Sequence, residues 1–152
     1  MTSPILERSF SSTLEDMSLL AQAVRTAALE AGCVAEELFA LELAASEAGS
    51  NVVRHAYRGE GGHQVRVRLS VLPDELALVL LDEGLKVPED RRQPNAPAED
   101  ASDPAQLAEG GRGIFLIHEV MDTVAFETEG GSNRLVMTKR RPRRAADKKE
   151  NQ

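Results

Sequence analysis

Ser46-Glu47-Ala48-Gly49-Ser50-Asn51-Val52-Val53-Arg54-His55-Ala56-Tyr57 closes the segment on which the fold turns. Leu38, Leu41, Ala45, Ala48 and Val52 recur at helical spacing, which predicts one helix from about Ala35 to His55. Glu47 and Asn51 are four apart, so they share a face about one turn from each other. Arg54 and His55 continue near that face. A carboxylate beside an amide suits a magnesium–phosphate site. The amide oxygen is a hard ligand, and the carboxylate can take a proton or orient water. The pair alone decides nothing, because Glu-x-x-x-Asn is common on exposed helices. Small residues (Ala44, Ala45, Ala48, Gly49, Ser50) cluster midway along the segment. Glycine costs about 1 kcal/mol relative to alanine inside a helix, so Gly49 marks a place where a neighbour packs close.

Upstream, Ile5–Phe10 reads as an edge strand. Ser12-Thr13-Leu14-Glu15 fits a capping box, with Glu15 reaching back to the helix start. Leu14, Met17, Leu20 or Ala21, Val24 and Ala28 then follow at helical spacing, and Gly32 ends that helix. Downstream, Gly59, Gly61 and Gly62 mark a loop. Val65, Val67, Leu69 and Val71 alternate with Arg66, Arg68 and Ser70, the pattern of a strand with one wet face. Pro73-Asp74 is a turn, and Leu76–Leu81 reads as a central strand paired antiparallel with the one before it. Asp82–Glu109 has four prolines and no periodic stripe; a loop of that length is functional or mobile. An apolar helix follows over Ile114–Met121. A hairpin then runs Thr123–Thr128 and Arg134–Lys139 across Gly130-Gly131-Ser132. The order predicts an α+β fold, a mixed, mostly antiparallel sheet with helices packed on one face.

The chain has 152 residues, one ordinary domain, with 41% hydrophobic and 28% charged residues. Seven Lys or Arg and two acids fall between Lys139 and Gln152, a local +5. Residues 1–138 therefore carry −12 against −7 for the whole chain. An acidic body argues against a broad nucleic-acid surface. Residues 141–152 read as a basic, solvated tail beyond a domain of residues 1–140. The lone Cys33 allows no disulfide within the chain and reads as a small, partly buried residue. No apolar run approaches the roughly 18 residues of a spanning helix, and Met1–Phe10 lacks the pattern of a signal peptide. The expectation is a cytoplasmic protein with no membrane and no direct nucleic-acid partner.

Two further segments carry chemistry. Asp82-Glu83-Gly84 follows a buried strand, where a carboxylate is costly without a partner. An adenine amino group would be one, and Gly84 would let the backbone approach a ring. For the tripeptide alone, an ordinary strand-ending turn is the favoured reading. Gly110-Gly111-Arg112-Gly113 sits at a predicted helix N-terminus, where free N–H groups and the helix dipole favour phosphate. Arg112 could add a charge. The bland reading is a flexible entry to the helix, and no Gly-Lys-Ser/Thr follows as in a Walker loop. His118, in an apolar helix, reads as a satisfied core or boundary residue, and His63 lies in a glycine loop. Aromatics at 3% weigh against base stacking on single-stranded nucleic acid.

Taken together and in order, these segments resemble the anti-sigma-factor serine kinases of the RsbW and SpoIIAB type, within the wider GHKL group of gyrase, histidine kinase and MutL ATPases. The resemblance runs over Ile5–Arg140. It rests on the opening stretch 46–57, on Asp82-Glu83-Gly84, on Gly110-Gly111-Arg112-Gly113-Ile114-Phe115-Leu116-Ile117 and on the hairpin Gly131-Ser132-Asn133-Arg134-Leu135. It implies a two-layer Bergerat-type fold that binds ATP or ADP with Mg²⁺. Asn51 would hold the Mg²⁺, and Glu47 would be the general base toward a substrate serine. Asp82 would bind the adenine amino group with Gly84 beneath the ring. Gly110, Gly111 and Gly113 would give donors to the phosphates with help from Arg112. Arg54 and His55 would flank the nucleotide, and Ser132 would place a hydroxyl near the adenine. Residues of about 83–109 would form a lid. The implied partners are a sigma factor and a STAS-domain antagonist, and the implied state is a homodimer with the first strand and helix near the interface. Leu85-Lys86 stand where many relatives have a second glycine.

Three other readings compete. A nucleotide-dependent binding module without transfer would need no base at Glu47. An orphan histidine-kinase catalytic domain would need a phosphoacceptor histidine on a dimerisation helix, and no such helical segment precedes the stretch 46–57. DNA binding would have to run through the basic tail.

Overall fold

A computed structural model describes residues 3–89, 92 and 113–142 of the chain. The helical pattern upstream becomes α1 (Leu14–Glu30), and the pattern that opens at Ala35 becomes α2 (Ala35–Asn51). The strands are β1 (Leu6–Ser11), β2 (Gln64–Val71), β3 (Glu75–Asp82), β4 (Thr123–Glu129) and β5 (Ser132–Arg140), with α3 (Gly113–Val120) before β4. They form a five-stranded sheet in the order β1-β2-β3-β5-β4. Leu76, Leu78 and Leu80 make β3 the buried central strand that its apolar run predicts.

Every strand pairing among the described residues is antiparallel, so the expected mixed sheet is corrected. The cause is the last hairpin. β4 runs parallel to β3, but the hairpin puts its second strand, β5, between them. The hairpin turn is Gly130-Gly131, with φ of 58° and 85°. Two consecutive left-handed residues are what a two-residue turn of matching twist requires, and glycine adopts them without a Cβ clash.

Val65, Val67 and Leu69 from β2, Leu76, Leu78 and Leu80 of β3 and Met137 of β5 meet Met17, Leu20, Val24, Leu41 and Ile117 in one core. Arg66 and Arg68 keep the wet face of β2. Gly49 is buried where α1 and α2 cross. A Cβ there would lie 2.9 Å from Met17 Sδ and 3.3 Å from Met17 Cβ, so the glycine permits the close approach its position suggested. Leu14 is an exception to the expected stripe of α1 and is 46% exposed. The cap of α1 also falls one residue later than expected. Thr13 Oγ1 accepts from Asp16 N at 3.0 Å, and Asp16 Oδ2 accepts from Ser11 N, so Asp16 rather than Glu15 closes the helix start. Ser12 is buried instead: its hydroxyl donates to Glu60 O and accepts from His63 N, which pins the glycine loop. Gly32, at φ 87°, ends α1 as expected.

Arg141 belongs to the fold rather than to the basic tail expected from charge composition. Its guanidinium donates to Glu37 Oε2 from Nε at 2.7 Å and to Leu72 O from Nη1 at 2.8 Å. The rest of the expected tail, residues 143–152, lies outside the described residues, as does most of the expected lid. No helix among the described residues is long and apolar enough to cross a membrane.

Candidate functional site

The helix predicted to reach His55 is α-helical only to Asn51. Val52–Ala56 form a π turn, in which Tyr57 N donates to Val52 O at 2.9 Å. The 3.6-residue period therefore lapses after Asn51, and with it the rule that carried Arg54 and His55 onto the face of Glu47. Arg54 is exposed and His55 half-buried on this turn. A single π turn inside an α-helix frequently marks a functional site.

Two distant segments close on this short stretch. Gly113, the first residue of α3, backs onto the α2 pair. A Cβ at Gly113 would lie 3.1 Å from Glu47 Oε2, 3.1 Å from Asn51 Nδ2 and 3.3 Å from Asn51 Oδ1. The helix carboxylate, the helix amide and the end of the glycine segment thus meet at one place. Gly110, Gly111 and Arg112 lie outside the described residues. On the other side, Gly84 packs against the π turn. A Cβ there would lie 2.6 Å from the Ala56 carbonyl carbon and 2.8 Å from Ala56 Cβ, while Leu85 N donates to Ala56 O at 2.8 Å. Gly84 therefore answers first to a backbone approach within the protein.

Asp82, at the end of β3, is nearly buried. Burial pushes its carboxyl above the usual range, and hydrogen bonds from Asn133 and from Gly84 N–H pull the other way. Both bonds fall on Oδ1, from Asn133 Nδ2 at 2.8 Å and from Gly84 N at 2.9 Å. The next residue, Glu83, gives its N–H to the Tyr57 hydroxyl at 2.8 Å, and that hydroxyl donates to Gln64 O. Tyr57 is buried and stacks on His63 with ring centroids 4.4 Å apart. Burial raises the Tyr57 hydroxyl above its ordinary pKa, the Glu83 N–H opposes that, and the nearby Asp82 and Glu83 charges raise it further.

Ser132, expected beside the adenine, opens β5 opposite Glu129. The residue paired with Asp82 is Asn133, one position later. Sequence reasoning gave no role to Asn133 or Tyr57. Tyr57 stood in the quoted stretch, but its hydroxyl partners come from β2 and the end of β3. Asn133 could be found only by setting the register of β5 on β3 across 51 residues. His118 departs from its expected reading: its Nε2 is buried and has no hydrogen-bond partner among the described residues.

The arrangement can do two things chemically. Asn51 Oδ1 and Glu47 Oε2 are hard oxygen donors side by side, which fits a small divalent cation or a hydroxyl proton. Asp82 offers a desolvated acceptor suited to an amino group. Gly113→Ala would put a methyl between Glu47 and Asn51. If the nucleotide that the sequence resemblance implies sits here, the methyl should weaken its binding about tenfold or more, equivalent to about 1.4 kcal/mol, as read by calorimetric titration. Overpacking should also lower stability by about 1–3 kcal/mol.

Comparison with known proteins places the chain in a family. Residues 10–139 match the family described as the histidine kinase-like ATPase domain. The serine-protein kinase RsbW of Bacillus pumilus is 38% identical over 111 residues, 71% of this chain and 68% of the relative. RsbW of Listeria monocytogenes serotype 4a is 35% identical over 113 residues, 74% of this chain and 71% of the relative. A chain of the SiaB–SiaC complex from Pseudomonas aeruginosa superposes with a TM-score of 0.59 over 92% of both chains at 14% identity, a likeness of fold. The chain belongs to the histidine kinase-like ATPase family and is related within it to the RsbW proteins.

Proposed function

We propose that this chain is an anti-sigma factor and ATP-dependent serine-protein kinase of a cytoplasmic partner-switching pathway. It would sequester a sigma factor and phosphorylate a serine of a STAS-domain antagonist. The observation that carries the proposal is the meeting of Glu47 and Asn51 at Gly113, the start of α3. Phosphoryl transfer asks the protein mainly for positioning and charge neutralisation. Asn51 would hold Mg²⁺ through its amide oxygen, and the ion supplies charge neutralisation at the phosphates when bound. Glu47 would accept the proton of the serine hydroxyl. Asp82 would receive the adenine amino group, and the N–H groups at the start of α3 would face phosphate oxygens.

The test mixes the pure protein, Mg-ATP and a candidate antagonist. Phosphoserine on the antagonist, with tighter grip on the sigma factor before transfer than after it, is the expected result. Absence of phosphoserine with every cognate antagonist, while nucleotide still alters partner binding, would leave a regulatory binding module and end the kinase reading.

The homodimer belongs to the same proposal. The edge strand β1 and α1 border a groove of about 470 Å³ whose lining mixes Ile5, Leu6, Phe10 and Leu19 with Arg8 and Glu30. Ile5 and Leu19 are about half exposed there, at 45% and 52%. An open strand edge beside exposed apolar side chains is a ready pairing surface. Leu19→Glu is expected to convert a dimer to a monomer by sedimentation equilibrium. A wild-type protein that sediments as a monomer at micromolar concentration would remove the dimer.

A further inference from the structure

We infer that Asn133 is a positioning residue that aims Asp82 at the 6-amino group of a purine base, and so sets the choice of base in this chain. The inference rests on the nucleotide reading above and deepens it.

Asn133 Nδ2 faces three oxygens: Asp82 Oδ1 at 2.8 Å, Gly84 O at 2.9 Å and Leu85 O at 3.2 Å. All three are acceptors, so the amide must present its nitrogen to them, and only a donor fits at this point. Two protons shared among three acceptors bind the carboxylate and the following backbone into one unit. Gly84 N–H falls on the same carboxylate oxygen, Oδ1. With two donors on Oδ1, the carboxylate is oriented, and Oδ2 receives no donor among the described residues.

The remaining supports of this turn hold backbone and do not reach the carboxylate. Tyr57 takes Glu83 N–H, and the Ala56 carbonyl takes Leu85 N–H. Among the described residues, Asn133 is thus the side chain that orients Asp82. Serine or threonine, shorter by an atom, could not reach all three oxygens. Aspartate would set a fourth acceptor against them.

A residue that only stabilises the fold would, when lost, weaken every nucleotide alike. A residue that aims the carboxylate acts only on the bond to the base. The experiment therefore compares ADP with purine riboside diphosphate, which lacks the 6-amino group, on the full chain with Mg²⁺. Wild type is expected to prefer ADP by about 10- to 100-fold, the scale of one hydrogen bond to a charged group. Asn133→Ala should reduce that preference to about threefold or less, chiefly by weakening ADP. Asn133→Asp, of the same shape, should do the same without leaving a cavity, and thermal melting checks that each variant is folded.

An unchanged preference in folded variants would overturn the inference while leaving the nucleotide site in place. Unfolding of both variants would assign Asn133 to stability and overturn it too. A wild-type chain that binds neither ligand would instead remove the nucleotide reading, and this inference with it.

Discussion

Glu47→Gln is expected to abolish phosphoryl transfer to serine while the protein still binds Mg-ATP. Glutamine keeps the length and shape of the side chain and one acceptor oxygen but cannot take up a proton. General-base action by a placed carboxylate is worth about 10²- to 10⁴-fold in rate. Losses of that size in kcat, with nucleotide affinity within about threefold of wild type, would separate proton transfer from binding. The geometry makes the split sharp. Glu47 and Asn51 sit one α-helical turn apart, before the π turn begins, so their spacing does not depend on the irregular segment beyond. Asn51→Ala should then show the converse pattern: weak binding of the magnesium–nucleotide, with a matching loss of transfer. Equal transfer rates for wild type and Glu47→Gln would eliminate Glu47 as the base.

The parts of this site that are legible in the sequence are those written by local periodicity. Leu38, Leu41, Ala45, Ala48 and Val52 specify a buried helix face, and all five are buried. That periodicity alone puts Glu47 and Asn51 side by side. Gly32 is legible for the same reason, since it answers to the end of its own helix; Gly49 is legible as a costly residue inside a helix, although the neighbour it admits, Met17, lies on α1. The π turn is not legible, because its cause is tertiary. The Ala56 carbonyl accepts from Leu85 N, and Gly84 leaves room for that approach. Nothing in the spacing of residues 52–56 records a partner thirty residues later. Asn133 is hidden for a like reason, since its meaning depends on which strand lies beside β3. The hairpin β4–β5 is legible as a hairpin, but which of its strands enters beside β3 is a choice of packing. Arg141 escapes because charge composition describes a run of residues and not the one among them that is enclosed.

Arg141→Ala is expected to lower stability by about 3–5 kcal/mol, the cost of breaking a buried ion pair by removing one partner. Arg141 and Glu37 side chains are 9% and 5% exposed. The pair is two-pronged: Nε meets Oε2 at 2.7 Å, and Nη2 meets Oε1 at 3.3 Å. Glu37 Oε1 also accepts Val34 N–H at the entry to α2, and the Arg141 backbone N–H meets Asp74 O. One guanidinium thus ties the end of β5 to the start of α2 and to the β2–β3 turn. Removing it takes both guanidinium bonds from the enclosed Glu37 carboxylate. For a chain of this size each kcal/mol lowers the melting temperature by about 2–4 °C, so a fall on the order of 10 °C is the reading to look for. Arg140→Ala, one residue earlier and exposed, should stay within about 0.5 kcal/mol, which makes it the control. Ending the chain after Arg140 should lose stability as the substitution does. Because the pair is enclosed, the difference should persist in high salt, where surface pairs fade. If Arg141→Ala melts with Arg140→Ala, the link between α2 and β5 contributes nothing, and α2 is held to the sheet by its apolar face alone.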